Sequence, residues 1–102
     1  MTIKTLTKAE GLITLVLGGL LDGAACPDFQ AAVDAALAQE PSAIELDCTA
    51  LEFVSSKALR ILFTLHKTAA AKGTKLKFLH PADNLMEVFG LTGFDKIFAI
   101  ER

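Results

Sequence analysis

The stretch Leu12-Ile13-Thr14-Leu15-Val16-Leu17, followed by Phe29 to Leu37 and then Ala43-Ile44-Glu45-Leu46-Asp47-Cys48, decides the fold. The first six residues are β-prone and mostly apolar, which predicts a central strand. Phe29, Ala32, Val33, Ala36 and Leu37 recur at i, i+3, i+4, i+7 and i+8. That spacing lines one face of a helix, with Asp28, Asp34 and Gln39 off it. Pro27 suits the first turn, where a missing N–H costs nothing, and Pro41 stops the helix. Ala43 to Cys48 alternates in polarity and reads as the next strand. A helix joining two strands is a crossover, so these strands are expected to be parallel.

Working outward, Thr2 to Lys8 is β-branched and polar and reads as an edge strand. It joins Leu12–Leu17 across Ala9-Glu10-Gly11 as an antiparallel hairpin. Gly18 to Gly23, containing Asp22, reads as a loop, and so does Thr49 to Ser56. A second helix is predicted from Lys57 to Lys72, closed by Gly73. Lys75 to His80 reads as a strand and Asp83 to Phe89 as a short helix. Ile97 to Ile100 reads as a final short strand or extended segment. The order is β-β-α-β-α-β-α-β, an α/β fold with a mixed sheet of four or five strands and an N-terminal hairpin. Residues 1–102 are expected to form one domain, since a chain this long buries about 65% of its unfolded surface.

Composition removes several classes of function. Hydrophobic residues make up 52% and charged residues 22%, so the chain is globular and not disordered. The formal net charge is −2, and there is no Trp or Tyr. Nucleic-acid binding wants a basic excess and stacking rings, so it is not expected. Cys26 and Cys48 are too few for a disulfide framework or a metal cluster and read as free thiols of a reducing compartment. Lys4 and Lys8, the apolar run to Leu21, and Gly23-Ala24-Ala25-Cys26 imitate a lipoprotein signal. However, Glu10 and Asp22 bracket the run with charge and Gly18-Gly19 break it. No run approaches the roughly 20 apolar residues of a membrane span. A cytoplasmic protein without membrane insertion is expected.

No catalytic constellation is visible. His66 and His80 are not at a metal-binding spacing, and no glycine-rich phosphate loop is present. Asp22, Glu45, Asp47 and Glu52 are scattered along the chain, and their spacing does not bring any two together. Neither an enzyme nor a cofactor or metal is expected. One local feature stands out. Leu51-Glu52-Phe53-Val54 runs into Ser55-Ser56, and the second helix starts there. Either serine can cap the helix by accepting an orphan backbone N–H. The same place favours a phosphate, whose charge of about −1.5 to −2 would meet free N–H groups and the positive helix end. Lys57 and Arg60 would add attraction. In that helix Ala58, Ile61, Leu62, Leu65 and Ala69 form an apolar face that Leu59 and Phe63 widen. The excess width implies either a packed neighbour or a partner-binding patch.

Four motifs in order resemble the STAS domain of bacterial anti-sigma factor antagonists: Leu17-Gly18-Gly19-Leu20-Leu21-Asp22, Ile44-Glu45-Leu46-Asp47, Leu51 to Arg60, and Leu91-Thr92-Gly93-Phe94-Asp95-Lys96-Ile97-Phe98. The resemblance covers essentially the whole chain. It implies a protein-binding partner switch. Unphosphorylated, such a protein binds an anti-sigma factor that is also a serine kinase, and phosphorylation of a serine at the start of the second helix ends binding. By the motif that serine is Ser56. The docking surface it implies comprises Asp22, Phe53, Val54, Ser55, Ser56, Lys57, Ala58, Leu59 and Arg60. The sequence departs from the family pattern at three places: Ser55 stands where the family has aspartate, Ala58 where it has glycine, and Lys57 where it has a small residue. These departures motivate a second reading, a non-phosphorylated STAS accessory subunit of a transport complex or a signalling scaffold. A weak homodimer is compatible with either.

Overall fold

The structure is a computed structural model describing residues 1–102. Five strands form one sheet: β1 (Thr2–Ala9), β2 (Leu12–Leu21), β3 (Ala43–Val54), β4 (Lys75–Leu79) and β5 (Ala99–Glu101). Their order across the sheet is the order of the chain. β1 and β2 pair antiparallel, and the other three pairings are parallel. The connecting helices are α1 (Cys26–Ala38), α2 (Ser56–Lys72) and α3 (Asp83–Thr92), with a 3₁₀ turn over Phe94–Lys96 before β5. This is the expected mixed α/β order.

Alternation along the strands builds the core. Ile13, Leu15 and Leu17 of β2 and Ile44, Leu46 and Cys48 of β3 are buried on one face, against Phe29, Val33 and Ala36 of α1 and Leu62 and Leu65 of α2. Phe78, Phe89 and Phe98 close the α3 side, with Phe78 and Phe98 stacked at 4.5 Å between centroids. Of the intervening residues of β3 and β4, Glu45 is half-buried and accepts from Thr14 Oγ1 at 3.3 Å, and Lys77 is exposed.

Two expected loops are strand instead. Gly18 to Leu21 continues β2 and Thr49 to Val54 continues β3, so the two strands pair as far as Leu20↔Phe53 and Leu21↔Val54. The glycines do not end β2. They are absorbed where the register shifts, between Val16 and Gly18 and between Gly19 and Leu20. Gly19 takes φ +87°, a conformation open to glycine at no steric cost. α3 runs past Gly90 to Thr92, and Gly93 ends it at φ +79°. β5 begins two residues later than expected because Phe98 turns into the core.

Candidate functional site

The site lies at the end of the sheet where β2 and β3 finish and α1 and α2 begin. In parallel α/β architecture this carboxyl edge gathers loops and helix N-termini, which is where such folds place their binding sites. Each connection here is pinned by hydrogen bonds. Asp22 follows β2 and its Oδ1 accepts from Ala25 N at 3.0 Å, closing a tight turn into α1. Ser55 N donates to Leu21 O at 2.9 Å, tying the start of α2 to the end of β2. Asn84 Nδ2 donates to Glu52 O at 2.8 Å, bringing α3 against the end of β3.

The two serines have separate roles. Ser55, in an extended conformation, is the N-cap of α2, and its Oγ accepts from Ala58 N at 3.1 Å. Ser56 is the first helical residue and is exposed, with no hydrogen bond to its hydroxyl. The backbone N–H groups of Ser56 and Lys57 are orphans of the helix start and have no intrahelical acceptor.

Of the residues assigned to the docking surface, Phe53, Ser56, Lys57 and Arg60 are exposed, and Asp22, Ser55 and Leu59 are half-buried. Val54 and Ala58 differ from that assignment: they are 6% and 0% exposed. Their side chains fill the core beneath the turn, and only their backbone shares the surface. Alternation explains Val54, and the inward face of α2 explains Ala58, whose methyl is accommodated inside and not presented to a partner.

Leu20 does not stand out in the sequence. It is 51% exposed beside Phe53, which is 47% exposed, in direct register across β2 and β3. Reading Gly18 to Gly23 as a loop hides this pairing. Asn84 escapes the sequence too, because nothing in the spacing of α3 signals its bond to Glu52.

The wide apolar arc of α2 is mostly accounted for by packing. Ile61 and Leu59 are half-buried against the core, and Phe63 stacks on Phe94 of the 3₁₀ turn at 5.5 Å and 4°. A shallow groove of about 330 Å³ remains, lined by Ser56, Leu59, Arg60, Phe63, Thr92 and Phe94.

The remaining polar groups do not assemble a reaction centre. Asp47 is held below the usual carboxylate range, chiefly by the Thr49 hydroxyl at 2.7 Å and also by Thr49 N at 3.0 Å, with His80 and Lys8 contributing charge. Its partners are those of a local turn. Burial pushes the Cys48 thiol up to about 12, with the Asp47 charge adding to the effect. Both cysteines are free and buried. No three His, Cys, Asp or Glu side chains come together in an arrangement that could hold a metal. No helix is long and apolar enough to cross a membrane.

A five-stranded mixed sheet of this order, covered by three helices, is the fold of a STAS domain. The family model described as Mlab, STAS domain (STAS_2) matches residues 5–100, and the chain belongs to that family. It is similar to the putative anti-sigma factor antagonist BtrV of Bordetella bronchiseptica, with 25% identity over 96 residues, covering 94% of this chain and 83% of that protein. It is also similar to the crystal structure of an anti-sigma factor antagonist from Mycobacterium paratuberculosis, with a TM-score of 0.85 and 28% identity over 97% of this chain and 85% of the other. The Bacillus protein SpoIIAA in its unphosphorylated form shares the fold, with a TM-score of 0.84 at 18% identity, covering 99% of this chain and 89% of that one.

Proposed function

We propose that this chain is an anti-sigma factor antagonist: one cytoplasmic STAS domain that binds an anti-sigma factor with serine kinase activity while Ser56 is unmodified. It has no catalytic role of its own in this reading, and phosphorylation of Ser56 ends the binding. The names of its relatives support the general role. One observation carries the finer reading: Ser55 does the capping, so the Ser56 hydroxyl is exposed and free of any structural duty. A phosphate there would leave the fold intact, because it would lie at the positive end of α2 beside orphan N–H groups. It would also put a dianion into the docking surface, in the groove that Ser56 shares with Arg60, where a partner shaped for the neutral hydroxyl would have to desolvate it at a cost of several kcal/mol.

The experiment is to incubate the chain with a candidate kinase and Mg-ATP and read the intact mass, in parallel with partner binding by Ser56→Ala and Ser56→Asp. One added phosphate at Ser56 is expected. Ser56→Ala should bind like wild type, and Ser56→Asp should bind at least about tenfold more weakly, which is about 1.4 kcal/mol. Absence of a mass gain, together with unchanged binding by Ser56→Asp, rejects the switch.

The motif around Ser56 favours one second reading. Lys57 and Ser55 replace a small residue and an acid that a cognate kinase could read, and the matching family model carries the name Mlab. On this reading the chain is a non-phosphorylated accessory subunit of a transport complex or a signalling scaffold. Neighbouring genes for a kinase-type anti-sigma factor, or for a transporter, separate the two.

A further inference from the structure

α2 concentrates charge of one sign. It carries Lys57, Arg60, Lys67 and Lys72 and no Asp or Glu, whereas the other 6 Lys and Arg share the rest of the chain with all 12 acids. None of the four cations is paired: the ion pairs of the molecule are Lys77 with Glu101 and Arg102 with Asp83. Arg60 and Lys67 are exposed. Ser56, Arg60, Phe63 and Lys67 repeat at i, i+4, i+7 and i+11, which is one ridge along the helix. Beside that ridge runs the groove floored by the stacked Phe63 and Phe94, and Lys67 Nζ lies 5.6 Å from the Phe63 ring centroid. Leu91, next in the chain to Thr92 of the groove, is 82% exposed.

We propose that this ridge and groove take an acidic amphipathic helix of a partner protein, whose carboxylates meet Arg60 and Lys67 and whose apolar side chains lie in the groove over the stacked Phe63 and Phe94. Charge complementarity selects the acid: an unpaired cationic ridge on a chain of net charge −2 is satisfied by carboxylates brought from outside. Shape selects a helix over a lipid surface, because Phe63 and Phe94 are recessed and half-buried and do not project as an inserting residue must. The groove extends the docking surface from the turn along the first half of α2, as far as Phe63. The inference rests on reading the chain as a protein-binding module. It also gives the modification of Ser56 a second effect, since Ser56 lines the same groove one helical turn from Arg60, where a phosphate would compete with the incoming carboxylates.

The test is to pan a 16-residue peptide library displayed on phage against the full chain, with counter-selection on the double variant Arg60→Glu, Lys67→Glu. Both positions are exposed, and a thermal melt verifies that the variant folds. Enriched peptides should carry Asp or Glu on one helical face and Leu or Phe on the other. Their NMR shift changes should centre on Arg60, Phe63, Lys67 and Phe94. Affinity should fall at least about tenfold for the double variant and severalfold as salt is raised. Enrichment of non-acidic peptides, shifts centred on Leu20 and Phe53, or equal enrichment on the double variant would overturn the proposal. Charge-dependent sedimentation with phosphatidylglycerol vesicles in place of peptide binding would assign the ridge to lipid and overturn it too. The Ser56 switch is read by intact mass, so either idea can fail without the other.

Discussion

Ser55 and Ser56 differ in what their hydroxyls face, and the difference is measurable. Ser55→Ala removes the acceptor of Ala58 N and should cost about 1 kcal/mol, a fall of roughly 4–8 °C in Tm for a domain of this size. Ser56→Ala removes no bond and should stay within about 0.5 kcal/mol of wild type. Equal losses in thermal melts would refute the division of roles. The sequence narrows the cap to two adjacent serines. Spacing cannot choose between them, because the choice depends on the extended backbone of Ser55 and on its tie to Leu21 O, which come from different parts of the chain. Cys48 gives a pH signature of its own. Its thiol ionises near 9.0 in the unfolded chain but is pushed up to about 12 when folded. The unfolded state therefore loses this proton first, and the contribution of Cys48 to stability is present below pH 9.0 and declines as pH rises from there toward about 12. Denaturant midpoints across that range should fall less for Cys48→Ala than for wild type, and native Cys48 should resist thiol reagents at neutral pH.

At the scale of elements, the junction of β2 and β3 matters most. Gly19 takes φ +87°, and a Cβ there would meet Met1 N at 3.3 Å. Gly19→Ala should therefore cost about 1–2 kcal/mol. It should also disturb Leu20 against Phe53, weakening partner binding more than an equally destabilising change in α3 would. Paired thermal melts and binding titrations check this. The existence and type of each strand and α-helix from Thr2–Ala9 through to α3 are legible from composition, periodicity and turn residues together. The outer ends of β2 and β3 are not. Gly18-Gly19 signals a break locally, and only the partner strand, offering Ala50 and Leu51 opposite, shows that bulges carry the ladder onward. The wide apolar face of α2 is legible as an excess, but Phe94, its covering neighbour, lies some thirty residues away in a turn whose position no periodicity gives.

Over the whole molecule, the sheet order follows the chain, and that makes the topology readable from hairpin and crossover rules alone. The candidate site is harder, because it is assembled from residues near 20, 55 and 84 that meet only when β2 and β3 end together and α3 folds back onto Glu52. The strand directions have a practical corollary. β1 runs opposite to the others, so its first residues pair with Gly18 near the docking end, while β5 finishes beside Leu79 and Arg102 reaches Asp83 at the start of α3. Met1 and Arg102 thus emerge at the same end as the docking surface, on opposite edges of the sheet. An affinity tag, fluorophore or immobilisation anchor at either position would crowd the surface being assayed. The turn after α2 lies at the far pole, and exposed Lys72 is the place for such a reporter, while Gly73 beside it keeps the φ of +73° that ends the helix.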